Sequence, residues 1–522
     1  MENKEETLPP PTQGDITFAS EDAEGNNKDS DAKKKIPYPK HIFFILGNEL
    51  CERYSFYGMK GILSLYLTSK LKYTKEEAFT LYHMFGFLAY FMPLFGSILS
   101  DQFIGKFNTI VSLSMVYVVG HIIKTVGSVT GYDTMPHEEL CILGLVIIAI
   151  GTGGIKPCVA AFAGDQFVLP EQDRQVQSFF SIFYMSINLG SLVSMIVGPA
   201  LYKMPCLGED DCYPLAFGVP AVLMIIATVI IVMGKPFYTI RPSDGIVTKS
   251  ICVIWEGLTS TKKSKSQHWL DPAKEKYGED LVNDIKFLLG CNGILILFLP
   301  MTAFWAVFDQ GGSRWVTQAK DMDGTLGAVT ILPDQMQFIN PLFILILVPI
   351  FDRLIYPCLA NWNILVKPLQ RMTVGLFLAA VAFGVSGILE LFIQSNPVGS
   401  IHMFCQIPQI FLITVAEILL SITGLEFAYN QAPSSMKSII QAFWLLTVAG
   451  GNLLNVLQSI IVKIEDRALA IFLFAGVTVV SAIIFTFLAW KFVPRKANAE
   501  DMEEDKETEL EDMSEQIQVI QN

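Results

Sequence analysis

The sequence predicts an all-α membrane protein of twelve transmembrane helices in a 6+6 arrangement. Three observations carry this. Of 522 residues, 52% are hydrophobic and only 17% charged, against about 25% charged in a soluble domain, and the mean hydropathy is +0.44. Twelve apolar runs reach the roughly 20 residues that a membrane crossing needs. The longest interruption, Lys235 to Asp284, falls between the sixth run and the seventh.

The runs cover residues 42–68, 78–100, 107–129, 139–161, 176–202, 213–234, 285–311, 336–358, 369–393, 402–424, 438–463 and 467–492. Two six-span halves around a midplane site is how the major facilitator superfamily is built. The expected division is an N-terminal tail 1–40, an N-terminal bundle 41–234, a linker 235–284, a C-terminal bundle 285–493 and an acidic tail 494–522. Both tails have few apolar anchors and are expected to be disordered. They hold much of the net charge of −13. No basic face for phosphates is evident, so nucleic acid is not an expected partner. The first forty residues are polar, so span 1 is expected to serve as its own insertion signal.

Lysine and arginine set the orientation. Lys33, Lys34, Lys35 and Lys40 precede span 1, and Lys249, Lys262, Lys263, Lys265, Lys274 and Lys276 lie in the linker. Alternating spans put Arg353, Lys367, Arg371, Lys437, Lys491, Arg495 and Lys496 on the same side. Both termini and the linker are therefore expected in the cytosol. The loop CLGEDDC then lies outside, where disulfides persist, and Cys206 and Cys212 are expected to be bridged. The other cysteines fall mostly in apolar runs, and no metal-ligand spacing appears.

Charges within spans cost several kcal/mol near the bilayer centre, so they face cavities and partners. Glu49, Glu52 and Arg53 fall at i, i+3 and i+4 on span 1 and share one face. Lys156 sits on span 4 in IGTGGIKP, where Gly151, Gly153 and Gly154 permit close helix approach and Pro157 interrupts the backbone ladder. His83 lies on span 2, and its unperturbed pKa is near neutrality. Glu426 follows SITGL on span 10. Each also has a structural reading, as a salt-bridge knot, a snorkelling lysine, a core histidine or, for Glu426, a pair with a neighbouring span. Together they place cations in the first half and an anion in the second, which suits a zwitterion. Tyr57, Tyr66, Tyr90, Tyr184, Trp305 and Trp444, with Asn188 and Asn340, also lie within spans. Aromatic bodies with polar tips could line a pocket for varied side chains.

These stretches resemble a known family. NELCERYSFYG is similar to the span-one E-x-x-E-R-F/Y motif of the proton-coupled oligopeptide transporters. GTGGIKPCVAAFAGDQF and FYMSINLGSL resemble that family's span-four and span-five signatures. FWAVFDQGGSRW, QHWLDPAKEKY and GLEFAYNQAPSSMKSIIQAFWLLT resemble the animal peptide-transporter branch, and GSILSDQFIGKF resembles the superfamily's loop between spans two and three. The resemblance runs from Tyr38 to Val493.

It implies roles. Arg53 and Lys156 would anchor a peptide carboxylate, and Asn188, Asn340 and Glu426 would meet its amino group. Glu49, Glu52, Arg53, His83 and Glu426 would handle protons. Tyr57, Tyr66, Tyr90, Tyr184, Trp305 and Trp444 would line the pocket. Two departures stand out. About ten residues around QSNPVGSIH separate spans nine and ten, where intestinal and renal animal members carry a large extracellular domain. Gly293 stands where vertebrate members place an arginine, so Asp352 would need another partner, and Arg353 beside it points elsewhere on a helix. The implied protein is a plasma-membrane symporter of di- and tripeptides with protons, working as a monomer without a cofactor. It would not be an enzyme, and no nucleophile elbow, H-E-x-x-H or P-loop is found. The alternatives are a related carrier of histidine or nitrate, or a transport-dead nutrient receptor.

Overall fold

The computed structural model describes residues 37–129, 135–168, 172–240, 245–260, 268–289, 293–327, 329–362, 364–365, 367–431, 437–461, 464 and 466–492. The expected tails lie outside these residues, except for 37–40. Among the described residues, eleven helices are long and apolar enough to cross a membrane. Span 1 (Ile42–Ser69) is as long as they are. Glu49, Glu52, Arg53 and Lys60 keep it out of that set by composition, which makes it the twelfth.

The remaining spans are span 2 (Lys75–Ile104), span 3 (Lys106–Gly127), span 4 (His137–Gly164), span 5 (Asp173–Tyr202) and span 6 (Tyr213–Met233) in the first half. The second half holds span 7 (Ile294–Phe298, Met301–Phe308 and Arg314–Lys320), span 8 (Pro333–Asn361), span 9 (Pro368–Gln394), span 10 (Met403–Leu425), span 11 (Lys437–Ile461) and span 12 (Arg467–Lys491).

Span 2 starts before its apolar run because Thr74 and Glu77 form a capping box. Thr74 Oγ1 accepts from the Glu77 amide at 3.2 Å and Glu77 Oε2 accepts from the Thr74 amide at 2.9 Å, which satisfies two orphan donors of the first turn. Span 7 differs from expectation in two ways. It breaks at Pro300 and again in the turn Asp309–Gly312, and it continues to Lys320, past the predicted end at 311. The apolar count stops where polar residues begin, but those residues face protein. Gln318 is buried, donates to Glu390 Oε2 at 2.9 Å and accepts from Gln406 and Gln409 at 3.0 Å each.

Two glycines set close approaches. A Cβ on Gly153 would lie 2.4 Å from Met92 Cβ, and one on Gly86 would lie 2.4 Å from Asn452 Oδ1. The first brings span 4 against span 2, one turn before Lys156. The second brings span 2 of one half against span 11 of the other.

Cys206 and Cys212 form a disulfide in the loop between spans 5 and 6. At this disulfide end the halves are joined. Lys60 pairs with Asp309 at 2.8 Å, Thr80 Oγ1 meets Ser459 Oγ at 2.7 Å, and Gln337 donates to the Gly61 carbonyl at 3.1 Å. The small hairpin of Thr325–Leu326 and Val329–Thr330 lies between spans 7 and 8. The linker end carries helices Ile246–Ser260, Lys274–Tyr277 and Glu279–Leu289. There Lys286, followed by the His268 amide, holds the Asp271 carboxyl below its ordinary range.

Candidate functional site

A cavity of about 340 Å³ lies between the halves. Arg53, Tyr57, Tyr90, Lys156, Tyr184 and Asn188 line it from the first half, and Trp305, Asn340, Glu417 and Trp444 from the second. Tyr66 is not there. It sits inside the first half, with its ring 5.0 Å from Tyr213 and 5.1 Å from Phe217. Thirteen residues beyond Arg53, a helix has turned about 220° out of phase, so Tyr66 points away from the cavity while Tyr57, one turn on, points into it.

The span 1 charges form one buried unit. Arg53 Nε lies 2.6 Å from Glu49 Oε1 and 3.2 Å from Glu52 Oε2. Thr152 of span 4 donates to Glu52 Oε1 at 2.7 Å. Both glutamates are buried behind Arg53, which reaches the cavity. Lys156 Nζ makes no hydrogen bond. It stands 3.9 Å from the Phe56 ring centroid and 5.3 Å from that of Tyr90. A buried ammonium held only by aromatic faces still has its donors to give.

On the opposite wall, Asn340 Nδ2 donates to Glu417 Oε2 at 2.9 Å and to Thr414 Oγ1 at 3.0 Å. Sequence reasoning passed over Glu417. The signal was present, since it is a single carboxylate inside the apolar run ITVAEILLSI and the rule applied to Glu426 covers it equally. Glu426 lies on the helix Thr423–Gln431, and its side chain is outside the described residues.

His83 is fully buried in the seam at the disulfide end, just behind the cavity lining that Lys60, Tyr82 and Asp309 form there. Its Nδ1 is 2.8 Å from Asn452 Oδ1 and its Nε2 is 3.0 Å from Ser313 Oγ. Asn452 Nδ2 donates in turn to Asp309, the partner of Lys60. In the tautomer with its hydrogen on Nδ1, the ring donates to Asn452 Oδ1 and accepts at Nε2 from Ser313, while Asn455 Nδ2 also lies 3.2 Å from Nδ1. A proton added at Nε2 would turn that nitrogen into a donor and force the Ser313 hydroxyl hydrogen elsewhere. Lys60, Asp309, Ser313 and Asn452 were also missed from sequence, although Lys60 falls seven residues after Arg53 on the same face. Asp352 and Arg353 lie exposed in a π-helical segment of span 8. The buried ion pair between the halves is Lys60–Asp309 instead, and Lys75 also reaches Asp321 at 3.8 Å nearer the surface.

Breaking a buried pair by removing one partner costs about 3–5 kcal/mol. Lys60→Ala is therefore expected to open the disulfide end. The check is a distance distribution between spin labels at Lys72→Cys and Val398→Cys, with exposed Cys358 and Cys405 replaced by serine. Lys60→Ala should lengthen it and Lys60→Ala/Asp309→Ala should partly restore it. An unchanged distribution would count against the pair as a gate.

Two six-helix halves enclosing a cavity with cations on one wall and a carboxylate on the other are a membrane fold of the major facilitator type. The chain belongs to the POT family, whose sequence profile matches residues 107–473. It is 47% identical over 369 residues to the Drosophila melanogaster protein named peptide transporter family 1, which covers 70% of this chain and 49% of that one. It is 43% identical over 378 residues to human solute carrier family 15 member 1, covering 69% and 53%. The chain spans about half the length of the curated relatives it matches. Its fold is similar to an auto-inhibited POT family peptide transporter, with TM-score 0.75, 29% identity and coverage of 88% and 98%. A solved proton-dependent oligopeptide (POT) family transporter matches with TM-score 0.69, 32% identity and coverage of 85% and 100%.

Proposed function

We propose that this multi-pass membrane protein imports di- and tripeptides together with protons by alternating access. In this reading it lies in the plasma membrane, with both termini and the linker in the cytosol, and it works as a monomer. The observation that carries the reading is the pairing of poles across one cavity, with Arg53 and the unbonded Lys156 facing Asn340 and Glu417. A zwitterion with separated ends satisfies both walls. Tyr57, Tyr90, Tyr184, Trp305 and Trp444 offer packing for varied side chains.

In the first step, protons reach His83 and the Glu49/Glu52 unit. Neutralising one glutamate loosens its hold on Arg53. The guanidinium and Lys156 then take the peptide carboxylate, while Glu417, Asn340 and Asn188 take the amine, with Glu426 as a second carboxylate to test. With the disulfide end closed by Lys60–Asp309, as described above, the cavity would empty toward the linker end. Loss of the proton there restores the Glu–Arg pairing and weakens the carboxylate grip. An inward-negative potential adds about 2.3 kcal/mol per charge moved per 100 mV.

Ligand competition separates this reading from a related carrier, and uptake separates it from a transport-dead receptor. A labelled dipeptide bound to purified protein should be displaced by unlabelled dipeptides, and not by histidine, nitrate or other free amino acids. Displacement by nitrate or histidine alone would favour the related carrier. Lys156→Ala should weaken a dipeptide about tenfold or more, the loss of one charge-assisted bond of roughly 1.5–3 kcal/mol, and should leave an analogue without its carboxylate unaffected. Equal losses for both would make Lys156 structural.

A further inference from the structure

The seam at the disulfide end contains an ionisable group that the network above does not use. Asp334 opens span 8 and is 1% exposed. It lies against the other half, where Tyr202 Oη donates to its Oδ1 at 3.4 Å, a long bond. Its Oδ2 has no hydrogen-bond partner. No ion pair among the described residues reaches it. The nearby charges are engaged elsewhere. Lys60 pairs with Asp309, Lys70 with Asp211, and Arg314 donates to Gln458. Lys203 sits 5.6 Å from the Tyr202 ring centroid, and Tyr213 stacks on Tyr202 at 4.9 Å.

An ionised carboxylate here would be buried without an ion pair, with Tyr202 as its one side-chain donor, the Asp334 and Gln335 amides beside it and Lys203 acting only through space. Burying an isolated charge costs tens of kcal/mol in the Born limit. A neutral acid short of one hydrogen bond costs about 1–3 kcal/mol. The closed seam therefore accommodates the neutral form. Once the halves part, water solvates the group and the ionised form is favoured.

We propose that Asp334 is a proton-binding positioning residue, taking up one proton from the surrounding water as the halves close at the disulfide end and returning it when they part. This rests on the alternating-access reading. It makes closure at that end favoured by acid, in addition to anything His83 contributes.

The test uses the spin labels at Lys72→Cys and Val398→Cys in the full chain, with the closed-to-open ratio measured against pH. By linkage, the slope of the logarithm of that ratio counts protons taken up on closing. Asp334→Asn mimics the neutral acid. It should hold the end closed to higher pH and reduce the slope by one proton. A slope equal to wild type overturns the proposal. Should Asp334→Asn not fold, Tyr202→Phe decides: it keeps the carboxylate and removes its one side-chain donor, so it should displace the midpoint and retain the slope. An unmoved midpoint overturns the proposal as well. Wild-type distances that never change with pH or added dipeptide would count against alternating access itself.

Discussion

Glu417→Ala is expected to weaken dipeptide binding by at least tenfold. A hydrogen bond to a charged group contributes roughly 1.5–3 kcal/mol, and each 1.4 kcal/mol is a factor of about ten in affinity. Glu417 accepts from Asn340 at 2.9 Å on the cavity wall facing Lys156. Removing it takes away the carboxylate that Asn340 holds on that wall, and the other second-half carboxylate lining the cavity, Asp309, is already paired with Lys60. N-acetylated dipeptides, which carry no ammonium, should bind wild type and variant alike. Isothermal titration on purified protein measures both ligands. A loss shared by the blocked peptide would mean that Glu417 shapes the pocket instead of meeting the amine. A larger loss in Glu426→Ala would move the amine contact to that residue.

Glu52→Gln is expected to abolish uphill accumulation while leaving exchange of peptide for peptide. Glutamine keeps an oxygen for the Thr152 hydroxyl, so the local packing can persist. It cannot alternate between an anion that holds Arg53 and a neutral acid that releases it. Arg53 would keep Glu49, at 2.6 Å. The two glutamates and the arginine between them titrate as a unit, so Glu49→Gln belongs in the same experiment. Accumulation stimulated by external acid that persists in both variants would remove the cluster from the coupling mechanism.

Much of this architecture was legible in the sequence because membrane insertion enforces simple rules. A span must be long and apolar, so span number and order followed from runs of residues. Charges inside spans are costly, so Arg53 and Lys156 were identifiable before their surroundings were known. The failures have physical causes. Tyr66 shares its residue type with the pocket aromatics but not their helical phase. Span 7 was ended too early because polar residues that satisfy one another, such as Gln318 with Gln406 and Gln409, look like a loop to a hydropathy count. His83 was legible as unusual, but not as part of a seam. Its partners Ser313 and Asn452 lie 230 and 369 residues away, and only folding brings them together. Glu417 and Asp334 were readable in principle. Each is a carboxylate in or at the edge of an apolar run, and it takes the neighbouring half to give it a context.

Proton-driven uptake by the purified protein is the most direct measure of coupled peptide transport. In liposomes, a labelled dipeptide should accumulate above its external concentration when an inward proton gradient is imposed, and unlabelled dipeptides should block it where free amino acids do not. Collapsing the gradient with a protonophore should return the internal concentration to the external one. Uptake that ignores the gradient, or that free amino acids suppress as well as dipeptides do, would contradict it.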